Sequence, residues 1–334
     1  MPTATLIYNP RAGRLTISSA LEAVARSWRA GGWTVIARPT SGPGDASRLA
    51  RLAADAGEEV VLAAGGDGTL GEVADGLAGS QTILAPIPAG TANALAQELV
   101  LPRPQILEPH SMVKAANTLL HGRVQTIDLG LTSTPTGNRH WILWSGVGAD
   151  AFLVQHLEPR PTWSKRLGAV GYSLQAATLL HQLPAMRAVV EIDGNRVEDD
   201  FLMILISNAR RYAGGLISLN SDGLLDDEML EVWLFRAGVP AENLPQGERL
   251  VKMASYMAAA KLGMQDLAPG MTLIPGRQVS IQTEPMMHCH TDGEPVGATP
   301  ITCEIRPKAL RLLVPTDTPE DLFLEPGTPF SEAI

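Results

Sequence analysis

The chain has 334 residues, a formal charge of −9, 45% hydrophobic residues and two cysteines. It is long for one core, its charge disfavours nucleic acid and electrostatic attachment to an anionic bilayer, and two thiols are too few for a disulfide scaffold, which fits a reducing compartment. No stretch nears the roughly eighteen uninterrupted apolar residues of a membrane span and Met1–Thr5 lacks the pattern of a leader, so a cytoplasmic protein is expected, any membrane contact being local or hydrophobic.

Residues 5–8 read as a first strand, followed by Ile17, Ala20, Leu21, Val24, Ala25 and Trp28 at helical spacing until Gly31-Gly32. A second strand, 33–37, leads to a helix over 45–56 with Leu49, Leu52 and Ala53 inward. The strand 60–64 leads to a helix carrying Leu70, Val73, Ala74 and Leu77, and the strand 83–87 to one carrying Ala94, Leu95 and Leu99. Four such alternations predict a doubly wound parallel sheet.

After Arg123 the pattern changes. Residues 124–130 and 140–144 read as strands around a turn at Pro135 and Gly137, and 189–192, 201–207, 229–235, 271–274, 279–283 and 301–305 follow as antiparallel signals. Helical patterns interrupt them at 165–181 and 248–262. The expected organisation is an α/β domain over 1–126, a β-sandwich domain over 127–314 and an irregular Pro-containing tail over 315–334, with the active site in the cleft between the domains.

Two turns carry the chemistry. Gly65-Gly66-Asp67-Gly68-Thr69 and Pro88-Ala89-Gly90-Thr91-Ala92-Asn93 each follow a buried strand and precede a helix. Glycines let backbone approach an oxyanion, and the first helical N–H groups have no internal partner, so such turns bind phosphate. A carboxylate beside a phosphate needs a cation between them or a hydroxyl proton to accept, and either points Asp67 to phosphoryl transfer; taken locally, Asp67 is also a helix N-cap. Neither the Walker spacing nor the dinucleotide fingerprint is present.

These runs, with Asn9-Pro10-Arg11-Ala12-Gly13, Thr40 to Ala46, Gly146-Val147-Gly148-Ala149-Asp150, Tyr212-Ala213-Gly214-Gly215 leading to Asp222-Gly223-Leu224-Leu225-Asp226, and Asp292-Gly293-Glu294, resemble in their order the diacylglycerol kinase and sphingosine kinase family. The resemblance spans nearly the whole chain. It implies ATP and Mg²⁺ as cofactors and transfer of the γ-phosphoryl group to a lipid hydroxyl, on diacylglycerol or a sphingoid base, at a membrane surface; a homodimer is left open. By position it implies a nucleotide site of Asn9, Pro10, Arg11, Ala12, Gly13, Thr40, Gly65, Gly66, Asp67, Gly68, Thr69, Leu70, Gly71 and Thr91. It makes Glu294 the general base, its proton affinity raised by nearby Asp67, Asp292 and phosphates, and Asp67 a metal or water-network ligand and rival base. A second, structural Mg²⁺ maps to the Asp222 side chain and the Leu219 and Leu224 carbonyls. Asp150 maps to the group that meets the substrate's head, and Asp292 is placed with it on the substrate side. The helix with Leu167, Val170, Leu174, Ala177 and Leu180 borders a lipid channel or simply packs.

Local readings compete: Thr40 and Asp222-Gly223 as turns, Asp292-Gly293 as a solvated hairpin, Asp150 as a strand end, and Trp141, Trp144 and His288-Cys289-His290 as ordinary sheet residues. Gly71 and Ala94 replace an Asn and an Asp of many bacterial relatives, which motivates a nucleotide-binding regulatory protein without turnover as one alternative. NAD kinase, which shares Gly-Gly-Asp-Gly-Thr but not the Pro88 to Asn93 run, is the other.

Overall fold

The computed structural model describes residues 1–10, 18–90, 92–104, 110–157, 178–179 and 182–334. The chain forms two compact units, one of Met1–Leu129, Leu224–Asp227 and Pro307–Ile334 and the other of Gly130–Gly223 and Glu228–Arg306.

In the first unit, strands β1 (Thr3–Tyr8), β2 (Thr34–Pro39), β3 (Val60–Gly65) and β4 (Ile83–Pro88) alternate with helices α1 (Ser18–Ala30), α2 (Asp45–Asp55), α3 (Asp67–Leu77) and α4 (Ala94–Glu98); α5 (Ser111–Leu120) and β5 (Arg123–Thr134) follow. All six residues of β3 and of β4 are buried, which is why those segments read as continuous apolar runs rather than alternating ones. β1 lies between β2 and β3, and all these pairs are parallel. The chain therefore steps from β1 to one side and then to the other, the switch at which open α/β sheets bind ligands beyond the carboxyl ends of their strands. Beyond β4, Arg311 and Leu312 add a further parallel strand beside Ile83 and Leu84.

The tail expected to be irregular is anchored. Leu322, Phe323 and Phe330 are buried, and the Phe330 ring stacks on Trp33 at 5.4 Å and 3°. Trp33 in turn meets Trp28 of α1 at 5.2 Å, so the prolines of this segment punctuate a chain held by its aromatic and aliphatic side chains.

The second unit contains β6 (Gly137–Trp141), β7 (Trp144–Gly148), α6 (Ala149–Leu157), β8 (Met186–Ile192), β9 (Asn195–Ser207), β10 (Arg211–Tyr212), β11 (Ile217–Ser218), β12 (Leu230–Arg236), α7 (Gln246–Lys261), β13 (Met271–Gly276), β14 (Gln278–Glu284), β15 (His288–Thr291), β16 (Glu294–Ala298) and β17 (Ile301–Val314), whose end supplies the strand beside β4. Within the unit the pairing is antiparallel, in the order β16-β15-β7-β9-β8-β14-β17, with β12 and then β13 pairing from the other side of β9. The architecture is a mixed α/β unit followed by a β-sandwich. The helix predicted over 165–181 falls largely outside the described residues.

Inward side chains of this unit, among them Trp141, Phe201, Ile204, Val232 and Val279, form one core. Cys289 and Cys303 sit in it, and burial pushes their thiols up to about 12 and about 11. At neutral pH neither is a thiolate, so both are inert. An aromatic disulfide reagent is expected to leave the native protein unlabelled and to titrate two thiols in denaturant; fast native labelling would contradict this packing.

Candidate active site

The first unit gathers its glycine turns at one edge. Registry places Tyr8 beside Pro39 and Ala64, and Gly65 beside Pro88, so the carboxyl ends of β1 to β4 are level. Asn9 N–H donates to Ala64 O at 3.3 Å and Thr40 N–H to Tyr8 O at 2.9 Å, which ties the segments after β1 and β2 to the same edge.

The two phosphate-type turns touch through backbone. A Cβ on Gly90 would lie 2.5 Å from the Gly66 Cα, and one on Gly65 would lie 2.4 Å from the Thr69 Cβ. Ala89 N–H and Gly90 N–H both donate to Gly65 O, at 2.8 and 3.2 Å. Asn93, at φ 52°, folds its amide back on Gly90, accepting from its N–H at 3.0 Å and donating to its carbonyl at 2.8 Å.

The helix starts differ. Glu72 accepts the Gly44 and Ala46 N–H groups at 2.9 and 3.1 Å, so the α2 terminus is satisfied by protein. α3 begins after Gly66, which has no side chain to cap it, and the N–H groups of a first helical turn have no partner within their own helix. Asp67 is the first helical residue rather than the cap, and its Oδ1 accepts the Leu95 N–H of α4 at 3.3 Å. Asp67 thus joins both turns while keeping a half-buried carboxylate among them. Leu70 and Gly71 are buried in α3 and Ala94 in α4, so the two departures from the bacterial pattern are packing positions here.

In the second unit β15 and β16 form a two-residue hairpin in which Thr291 pairs with Glu294. Asp292 and Gly293 have φ of 49° and 79°, the positive pair that a tight hairpin of this hand requires. Asp292 is not solvated: at 5% exposure its carboxylate accepts N–H groups from Ile142 and Leu143 at 2.9 Å and from Trp144 at 3.2 Å. Burial drives its proton affinity up and those three donors pull it back, the net direction being upward. Its own N–H donates to Trp144 O at 2.9 Å, so the turn is clamped to the segment between β6 and β7. Glu294 opens β16, half-buried.

His290 lies beneath that turn, 1% exposed, with Nε2 2.6 Å from Asp150 Oδ2 and Nδ1 accepting the Gly293 N–H at 3.3 Å. The extra residue of a bulge, Val296, lies in β16 opposite the step from Cys289 to His290; His288 is exposed and His290 buried. No cluster of metal-type side chains is found among the described residues. Nothing in the sequence pairs His290 with Asp150, because the two are 140 positions apart and the runs that hold them carry no sign of each other.

At the other predicted metal turn, Leu219 O accepts Gln265 Nε2 at 2.8 Å, Asp222 N–H donates to Asn220 Oδ1 at 3.1 Å, and Arg210 Nε donates to Gly223 O at 2.6 Å. Asp222 is exposed and takes the Ser221 hydroxyl at 3.4 Å; Leu224 is counted with the first unit. The Leu219 carbonyl, with one donor, and the exposed Asp222 carboxylate each retain oxygen lone pairs. Arg11, Ala12, Gly13 and Thr91 lie outside the described residues; Pro10 is exposed after β1.

Residues 3–132 match the diacylglycerol kinase catalytic domain and residues 145–314 the YegS C-terminal NAD kinase beta sandwich-like domain. The chain belongs to the diacylglycerol kinase family. This lipid kinase is 28% identical over 302 residues to the diacylglycerol kinase of Bacillus subtilis (strain 168), covering 90% of this chain and 92% of that one. It is 29% identical over 317 residues to a probable YegS-like lipid kinase of Pseudomonas putida, covering 94% and 96%. A crystal structure of a diacylglycerol kinase from Bacillus anthracis str. Sterne superposes with a TM-score of 0.67 at 19% identity, over 95% of this chain and 98% of that one, a likeness of fold. As a member of this family the protein is a phosphotransferase, and the family implies ATP as donor. Among the described residues no helix is long and apolar enough to cross a membrane.

Proposed function

We propose that this lipid kinase transfers the γ-phosphoryl group of ATP to the free hydroxyl of a diacylglycerol at a membrane surface, with Glu294 of the second unit as general base. The observation that carries the reading is the close approach of the Gly90 turn to Gly66 at the start of α3, at the switch point of the parallel sheet. A helix terminus alone is worth about 0.3–1 kcal/mol to an anion. Micromolar binding needs about 8 kcal/mol. The triphosphate must therefore draw on the N–H groups of Gly66 to Thr69 and the turns after β1 and β4 together, and on a cation.

Asp67 supplies the acidic oxygen that suits Mg²⁺, a carboxylate with about four lone-pair sites set among small residues. Bound there with the nucleotide, Mg²⁺ would neutralise charge that develops on the phosphates. Asp67 then fixes the nucleotide end of the reaction, and Glu294 accepts the proton of the attacking hydroxyl. Asp150 supports this choice of acceptor. The sphingosine kinase resemblance would aim that carboxylate at an ammonium head, whereas here one of its oxygens is held by His290 at 2.6 Å. That favours an uncharged glycerol hydroxyl.

The test is label transfer from γ-labelled ATP to mixed micelles holding diacylglycerol, monoacylglycerol, ceramide or sphingosine, with NAD as a soluble control. Label in diacylglycerol is expected; label in NAD, or nucleotide binding with no product, would overturn the reading. Asp67→Asn is expected to raise the Mg²⁺ concentration for half-maximal rate at least about tenfold as well as slowing turnover, since it removes a charged ligand. An unchanged Mg²⁺ titration would take Asp67 out of metal contact.

A further inference from the structure

We infer that His290 and Asp150 form a positioning device that fixes the turn bearing Glu294, an inference that rests on Glu294 being the base. Three observations of the second unit meet at this place. His290 Nδ1 accepts the Gly293 N–H at 3.3 Å, which requires a lone pair on Nδ1, so the proton sits on Nε2 and is donated to Asp150 Oδ2 at 2.6 Å. Asp150 lies in the first turn of α6, and its side chain is only 13% exposed. Gly146, paired with His290 across β7 and β15, leaves the room: a Cβ there would stand 2.6 Å from His290 Nε2 and 2.8 Å from Asp150 Oδ2.

A buried histidine is costly unless both ring nitrogens are satisfied, and here one partner is the backbone of the catalytic turn itself. The ring therefore acts as a strut from α6 to Gly293. Asp292 clamps the same turn from the other side through three backbone amides, so Glu294 leaves a turn fixed at two adjoining residues. Holding a reacting group within a fraction of an ångström is worth up to about a hundredfold in rate.

His290→Phe and, independently, Gly146→Ala are expected to lower kcat about 10- to 100-fold with the KM for ATP changed less than about twofold. His290→Gln, whose amide can accept from Gly293 and donate to Asp150, is expected to recover most of the loss. In a Glu294→Gln background, His290→Phe is expected to add little, because the group it positions has lost its function. An undiminished loss in that background, or unchanged kcat in His290→Phe while Glu294→Gln alone is slow, overturns the strut alone. Unchanged turnover in Glu294→Gln alone overturns the base assignment and the strut with it. In the unsubstituted protein, ¹⁵N spectra of the His290 ring should show a bare Nδ1 and a protonated Nε2, and the opposite tautomer overturns the inference whether or not the variants fold.

Discussion

Glu294→Gln is expected to bind ATP as the parent does and to lose about 10² to 10⁴ in turnover. The change keeps the shape of the side chain while removing its charge and its capacity to take a proton. The hairpin does not depend on the carboxylate for its form: Asp292 and Gly293 supply the two positive φ angles, and the Asp292 carboxylate is fastened by the amides of Ile142, Leu143 and Trp144. A fall in kcat at constant ATP affinity therefore reads chemistry rather than folding. Equilibrium nucleotide binding and single-turnover label transfer check it. Full turnover in this variant would remove Glu294 from proton transfer and leave Asp67 as the candidate base.

Gly90→Ala is expected to be nearly as damaging, by a different route. The added methyl would stand 2.5 Å from the Gly66 Cα and 3.0 Å from Asn93 Oδ1. Carbon atoms in contact sit about 3.5–4.0 Å apart, so one turn must retreat by about 1 Å. Both neighbours belong to turns with little freedom, since Gly66 is the single residue between β3 and α3 and Asn93 is locked to Gly90 by two hydrogen bonds. Misplacement on that scale is worth about a hundredfold, here in ATP affinity, with overpacking costing a further 1–3 kcal/mol or about that much of stability. Gly247→Ala, where nothing lies within 4 Å of the new methyl, is the control. Calorimetric titration with Mg²⁺-ATP and thermal unfolding of both variants measure the two effects separately; parental affinity in Gly90→Ala would mean that the turns do not act together.

Much of the first unit was legible because its physics is local. Buried parallel strands declare themselves as apolar runs, the glycines that follow them mark where backbone must come close, and helices announce their inner face at Leu21, Val24, Ala25 and Trp28. Harder to read was the long β17, foreseen only over 301–305. Pro307 and Lys308, the latter at φ 53°, interrupt its pattern before Leu310 to Val314 resume and enter the parallel sheet. That the tail packs through Phe330 against Trp33 is a matter of two aromatic rings nearly three hundred positions apart, which no window of sequence holds.

The candidate site divides in the same way. Gly65 to Thr69 and Gly90 were legible from turn chemistry, and Asp292-Gly293 from its hairpin signature, yet the burial of Asp292 was not, because a solvated Asp-Gly turn and one clamped by three amides have the same local sequence. His290 read only as an ordinary sheet residue, and its burial beside exposed His288 depends on what packs over each of them. Its role emerges only with Gly146 and Asp150 on the neighbouring strand and helix.

We propose that the start of α3, with the Gly90 turn against it, holds the nucleotide's phosphates. A crystal structure with Mg²⁺ and a non-hydrolysable ATP analogue is the direct test. Phosphate oxygens are expected at hydrogen-bond distance from the N–H groups of Gly66 to Thr69, with a metal ion bound through Asp67. A triphosphate bound elsewhere, with these donors facing solvent, would contradict it.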